Sequence, residues 1–551
     1  MLGISVRKES SLGVSETNEG VNVMDFFNTQ ILPELQDSNH GSRPVVKATA
    51  LKFVTTFRNQ FSKQELVTLF PMVIAHLGSP VVVVHTFAAL AIERILVTKE
   101  QIGSKQCKFG NAELKPFLEP LFTSLFGIVD NTDLNENDYV MKCCMRALAT
   151  AEADVVPITQ IVIEKLTNAL ARVAKNPRNP QFNHFLFESI AVLVRSVCTG
   201  NPDAAPALES LLFGPFQTVL QMEILEFTPY VFQVLAQLLE LRSTDGGIGQ
   251  YEGLFQPLLT PALWERKGNV PALTRLVQAY LMKAAPMIVQ NNFLQGVLGC
   301  FQKLLSSPAH EGDAFNLLNS LTLYIPPESM DNFNPTIFQL LMTSLHNAKS
   351  SKSTTRFPRF SRHLIKFLAL FVAKRGPAGF FALLEAIQPG MGNMLISQIW
   401  LPRLQADPPK DLDAKLQVLG LAKILCETPA LLSDPAGQHL WCALFLSAST
   451  VLAAMSLAPS TGDADGEVEG LMAVDVQYDS AFTGLVNAKK PKIDPFPEIA
   501  DAGTAFAQAM QGLSAAHPGR LAPMVQESLK DSDPKLSSGM QALFQTNGVH
   551  M

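Results

Sequence analysis

Seven cysteines, ten histidines and two small glycine clusters are the residues of this chain whose types could carry catalysis, redox work or metal binding, and their spacing suits none of these. Cys143 and Cys144 are adjacent, which is not the two-residue gap of a CxxC zinc or thiol pair, so buried free thiols in a reducing compartment are expected. His184 lies between Phe182 and Phe185 and reads as a packing residue rather than a ligand. Gly247-Ile248-Gly249 and Gly390-Met391-Gly392 follow helical sequence instead of a strand, so they read as loop glycines and not as a dinucleotide fingerprint. The chain has no GxxxxGK[ST], HExxH or GxSxG sequence. No enzyme, metal or cofactor is expected.

What remains is charge that could meet another protein. Arg172, Lys175 and Arg178 cluster at a helix end and the turn after it, where the helix dipole already favours cations, and where a turn at the edge of a helical array could also face an acidic partner. Farther on, Asp463, Asp465, Glu467 and Glu469 form an acidic run, followed by Lys489 and Lys490. These residues are the candidate partner-binding set. A net charge of −6 offers no polycationic field, so nucleic acid is not an expected partner.

Helices must position all of these groups. Val231, Val234, Leu235 and Leu238 fall at i, i+3, i+4 and i+7, as do Leu273, Leu276, Val277 and Tyr280, so both stretches read as helices with one apolar face. Further helices are expected at about 21–36, 43–61, 63–77, 81–98, 112–129, 136–152, 157–175 and 181–199. Strand signals are nearly missing, and the fold class is all-α. With 551 residues, one compact core is not expected. Helices this short cannot bury their faces alone, and stacking repeated units solves the problem.

Proline supports a repeat. It recurs within apolar sequence at Pro33, Pro71, Pro120 and Pro157, at intervals of 38, 49 and 37 residues. An interior proline costs a helix about 3 kcal/mol unless it bends there, so a bend is expected in the first helix of each unit. The intervals fit HEAT repeats, helix pairs of about 40–47 residues. The chain is therefore read as a HEAT-repeat α-solenoid of antiparallel helix pairs over 21–458, with a flexible N-terminal segment at 1–20. An acidic-then-basic insertion loop follows at 459–499, solvated and least ordered from about 460 to 492, and C-terminal helices at 500–551 cap the array. The uncharged run Leu440–Ala458 is almost long enough to span a bilayer, but four hydroxyl residues interrupt it and no Lys or Arg flanks it. It reads as a buried solenoid helix, with no membrane insertion.

Longer stretches carry a resemblance. VVVVHTFAALAIERIL from Val81, KNPRNPQFNHFLFESI from Lys175, EFTPYVFQVLAQLLE from Glu226 and LLTPALWERKGNVPALTRLVQAYL from Leu258 are similar to the importin-α re-exporters, a family of nuclear transport receptors also called the cellular apoptosis susceptibility family. The similarity covers the C-terminal part of that family's pattern, without the N-terminal arm that makes its principal Ran contact, so the chain reads as a fragment or shortened product. The resemblance implies an export receptor that returns importin-α from nucleus to cytoplasm with Ran in its GTP form, shuttling through the pore by contacts with nuclear pore proteins. A HEAT scaffold or adaptor independent of Ran is the alternative.

Overall fold

The computed structural model describes residues 6–10, 13–17, 22–101, 104, 106–243, 247–457, 483–489 and 492–549. They are organised as two compact units, one comprising 1–247, 266–276 and 462–490, the other 248–265, 277–461 and 491–551.

The first unit opens with two antiparallel strands, β1 (Val6–Ser10) and β2 (Gly13–Thr17). A strand pair was not expected in a segment read as flexible, although β-branched Val6, Val14 and Thr17 suit one. Helices follow: α1 (Val23–Phe26), α2 (Leu32–Gln36), α3 (Pro44–Phe57), α4 (Lys63–Ala75), α5 (Val82–Leu96), α6 (Asn111–Leu114), α7 (Leu118–Val129), α8 (Asp138–Ala151), α9 (Thr159–Val173), α10 (Pro180–Cys198), α11 (Ala205–Gln221) and α12 (Thr228–Leu241). These bounds follow the expected segments closely. The second helices of successive pairs, α3, α5, α8, α10 and α12, each pack on the next, while α4, α7, α9 and α11 pack on the second helix of their own pair. That is the HEAT-repeat arrangement, and the fold is an all-α solenoid. Its apolar core runs between units of the repeat. Leu51, Val54, Ala88, Ile92, Leu148 and Ile190 are fully buried in this stack.

The recurring prolines do not share one setting. Pro33 stands in the first turn of α2, directly after a π-helical turn, Phe27–Ile31. Pro402 repeats this after the π-turn Ile396–Trp400. Pro157 lies in a 3₁₀ segment, Glu152–Ile158, and Pro120 in the first turn of α7. A π or 3₁₀ turn redirects the carbonyl that a proline cannot serve, and proline then starts a fresh helix where its missing N–H costs little. Pro71 sits inside α4.

The second unit contains α13 (Tyr251–Leu258), a 3₁₀ turn opened by Pro261, α15 (Leu294–Leu305), α16 (Glu311–Tyr324), α17 (Pro327–Met330), α18 (Asn334–Lys349), α19 (Arg356–Arg375), α20 (Pro377–Ile387), α21 (Met391–Leu395), α22 (Leu401–Ala406), α23 (Asp411–Glu427), α24 (Ala430–Ser433), α25 (Pro435–Leu457), α26 (Ala502–Ala516), α27 (Leu521–Leu529) and α28 (Pro534–Thr546). Helix α14 (Val270–Gln290) kinks at Ala284, two residues before Pro286. Within this unit α16 packs on α19, α19 on α23, and α23 on both α25 and α26. Gly420 lets α23 approach α19 closely: a Cβ there would lie 2.9 Å from the Cα of Ala369. Among the described residues α25 is the one helix long and apolar enough to cross a bilayer. Its Trp441, Leu444, Phe445 and Ala448 are instead fully buried, and the Trp441 indole donates to the Leu425 carbonyl at 3.2 Å. Trp264 and Trp400 are core residues as well.

Candidate partner-binding site

The basic turn is tied down. Arg172, in the last turn of α9, donates to the carbonyl of Val129 at 2.5 Å, satisfying an acceptor that the end of α7 leaves open. Arg178 approaches Glu136 at 3.6 Å, and Asn179 both caps α10 through Phe182 N–H and donates to the Glu136 carbonyl. Arg172 and Arg178, with Asn131, Asp133 and Glu136, line a small polar cavity of about 200 Å³. Their first role is to hold adjacent inter-helix turns together. Lys175 is exposed.

The acidic candidates Asp463, Asp465, Glu467 and Glu469, and Lys490, lie outside the described residues. Lys489 is exposed at the end of a segment that corrects the expectation of a solvated loop. Residues 483–489 carry no helix, yet they form a strap over α10 and α12 in which Leu485, Asn487 and Ala488 are buried. Within residues 492–499, in the second unit, Phe496 alone is buried: Lys415 donates to Asp494 at 2.5 Å and to the Phe496 carbonyl at 2.8 Å, and the Lys374 ammonium sits 4.2 Å from the centroid of the Phe496 ring. The apolar residues Leu485 and Phe496, which follow the charged run in sequence, are the ones buried here.

The seat of the strap is polar in an otherwise apolar place. Glu188 of α10 accepts from the main-chain N–H of Val486 at 2.6 Å through one oxygen, and through the other from the N–H and side-chain amide of Asn487 at 3.0 and 2.8 Å. On α12, Gln233 accepts from the Leu485 N–H at 2.8 Å and donates to the Thr483 carbonyl at 3.2 Å. One turn later Gln237 donates to the Asn487 carbonyl at 3.2 Å and to the Ala191 carbonyl at 3.0 Å. Burial pushes the Glu188 carboxyl above the usual range, opposed by the donors from Asn487 and Val486. His184, one turn earlier, is held near pH 4 by burial and by the neighbouring Lys142, and it is a core residue as expected. The three seat residues were missed in the sequence. Their signal is present: a lone carboxylate in FNHFLFESIAVLV and an i, i+4 pair of amides in YVFQVLAQLLE, on helices with no solvent face to put them on.

A second surface is apolar. The first turns of α3, α5 and α8, three successive helices packed on one another, expose Val45, Val82 and Tyr139 at 74%, 50% and 44%, beside Val46 and Val83. Cys143 and Cys144, farther along α8, are fully buried, and burial raises both thiols, Cys144 to about 12. They are inert packing groups.

These features define a HEAT-repeat solenoid. It superposes on the exportin Cse1 in its cargo-free, cytoplasmic state with a TM-score of 0.78 and 25% identity, covering 98% of this chain and 53% of that one. It also shares its fold with importin β, at a TM-score of 0.60 and 13% identity. The chain belongs to the CAS/CSE family: the model of the CAS/CSE protein C-terminus matches residues 93–538, and the Cse1 model matches 1–92. Exportin-2 of Bos taurus and of Homo sapiens are each 36% identical to it over 521 residues. The alignments cover 94% of this chain and 52% of each relative, so the chain spans about half the length of the curated relatives it matches.

Proposed function

We propose that this chain acts as a nuclear export receptor that binds importin-α, with Ran in its GTP form as the second ligand, and returns importin-α to the cytoplasm by shuttling through the nuclear pore. The observation that carries this reading is the family match across residues 93–538 on a solenoid that follows the exportin Cse1 fold. The physics is compatible. A stack of helix pairs offers a long surface to a protein partner, and the exposed valines and tyrosine on α3, α5 and α8 form the kind of apolar row that a partner covers. Lys175, Lys489 and Lys490, with the acidic residues Asp463, Asp465, Glu467 and Glu469, are proposed as charged contacts to a partner. Transport needs no bond made or broken by the receptor itself. Its work is differential affinity, since two ligands coupled through one protein must each favour the other equally.

A pull-down of importin-α on immobilised chain, with and without GTP-loaded Ran, tests the reading. Capture of importin-α supports it. A chain that is folded yet captures none under either condition is a scaffold of another kind.

A further inference from the structure

The strap is held almost entirely through its main chain, and that says what its seat recognises. Five of its contacts to Glu188, Gln233 and Gln237 use backbone groups: the N–H of Leu485, Val486 and Asn487, and the carbonyls of Thr483 and Asn487, with the Asn487 side chain adding a further bond to Glu188. Any peptide that can make the turn between Val486 and Lys489 carries such groups. Three side chains give selectivity, because only Leu485, Asn487 and Ala488 are buried, the last completely.

The seat is also complete without the strap's covalent neighbours. Glu188, Gln233 and Gln237 come from α10 and α12, and they lie 250–299 residues away in sequence from the groups they bind. The strap has no helix or strand of its own to unfold when it leaves. Without the strap the buried Glu188 carboxyl loses its donors from Val486 and Asn487, while Gln233 and Gln237 keep only their bonds to the Pro229 and Ala191 carbonyls, and a buried acceptor left open is costly. The face of α10 and α12 is thus built to be occupied, by a ligand read mainly through its backbone.

From this we infer that the Glu188, Gln233 and Gln237 face is a peptide-binding site, that residues 483–489 are its resident occupant, and that a segment of a partner protein making the same turn, in which the Lys489 N–H donates to the Val486 carbonyl at 3.2 Å, can replace them. The replacing segment presents an aliphatic residue, then any residue, then Asn, then a small residue, matching Leu485, Val486, Asn487 and Ala488. The strap acts as a tethered competitor whose high local concentration excludes weak ligands. This assignment stands apart from importin-α binding and does not depend on it.

The test uses the full chain with Thr483–Lys489 replaced by an equal number of Gly and Ser residues, and a milder variant, L485S/N487A, in case the first folds poorly. The probe is a fluorescently labelled peptide, TGLVNAK, followed by anisotropy, with folding checked by circular dichroism. Saturable binding to either folded variant, at least tenfold tighter than to the intact chain and lost on adding E188A and Q233A, supports the site. Competition by unlabelled TGLVNAK and not by TGSVAAK supports the side-chain selectivity. A folded variant that binds no peptide, or that binds both sequences equally, overturns the proposal.

Discussion

Glu188 and Asn487 stand 299 residues apart, and one oxygen of the Glu188 carboxylate accepts both the backbone N–H and the side-chain amide of Asn487. Hydrogen bonds to a charged group are worth about 1.5–3 kcal/mol, and an abandoned buried acceptor costs a similar amount. Asn487→Ala should therefore release the strap locally while the helices stay intact. The check is trypsin cleavage after Lys489, expected to quicken by about tenfold or more, with far-UV circular dichroism unchanged. Unchanged cleavage would show that the main-chain bonds alone hold the strap.

His76 should make the first unit sensitive to mild acid. Its ring is buried, 3.2 Å from the Leu35 carbonyl and edge-on to His40, with Lys47 and Asp37 also acting on it. Burial foremost, with His40 second, lowers its pKa to about 4. The folded state thus prefers the neutral ring, so its contribution is complete above the unfolded value near 6.5 and is lost as pH falls toward 4. A shift of that size corresponds to about 3 kcal/mol. Urea denaturation between pH 7 and pH 4.5 should show this loss, and H76Q should flatten it. Equal slopes for both proteins would contradict the assignment.

Two glycine substitutions should act in opposite directions. Gly420→Ala drives a methyl group into the Ala369 backbone of α19, where neither helix can yield easily, and should cost about 1–3 kcal/mol. Gly299→Ala, exposed within α15 with nothing within 4 Å of the new carbon, should gain up to about 1 kcal/mol through helix propensity. Paired thermal melts decide it, and a neutral G420A would mean that α19 and α23 can slide apart without loss.

The helix pattern was legible because it is local. The apolar spacing within α3, α5, α8 and α10 repeats every three to four residues, and breakers such as Pro44 and Pro180 start helices where the sequence places them. The strap was not legible because it is long-range. Nothing near Asn487 announces Glu188, and the acidic run before it made the whole loop read as solvated. The basic turn was found as a cluster, but its partners, the Val129 carbonyl and Glu136, come from the preceding repeat. Only the stacking of repeats shows that Arg172 and Arg178 are ties. The recurrence of proline was legible, whereas the π turn before Pro33 and the 3₁₀ turn around Pro157 depend on backbone geometry that no spacing reveals.

Val82→Asp and Tyr139→Asp should weaken importin-α binding if the apolar row on α5 and α8 is a contact. Both side chains are about half exposed, so neither change buries a charge in the core. The double variant is expected to lose about tenfold in affinity or more, about 1.4 kcal/mol, with its melting temperature nearly unchanged. Full affinity would move the contact elsewhere on the solenoid.

Calorimetric titration of importin-α into the 551-residue chain, with and without GTP-loaded Ran, tests the central claim most directly. Saturable one-to-one binding of importin-α is expected from these residues alone. The gain from Ran should stay under tenfold, below about 1.4 kcal/mol of coupling, because the titrated chain carries about half the length of its relatives. Absence of saturable binding in both titrations would contradict the receptor assignment, and a gain of tenfold or more would contradict the predicted weak coupling.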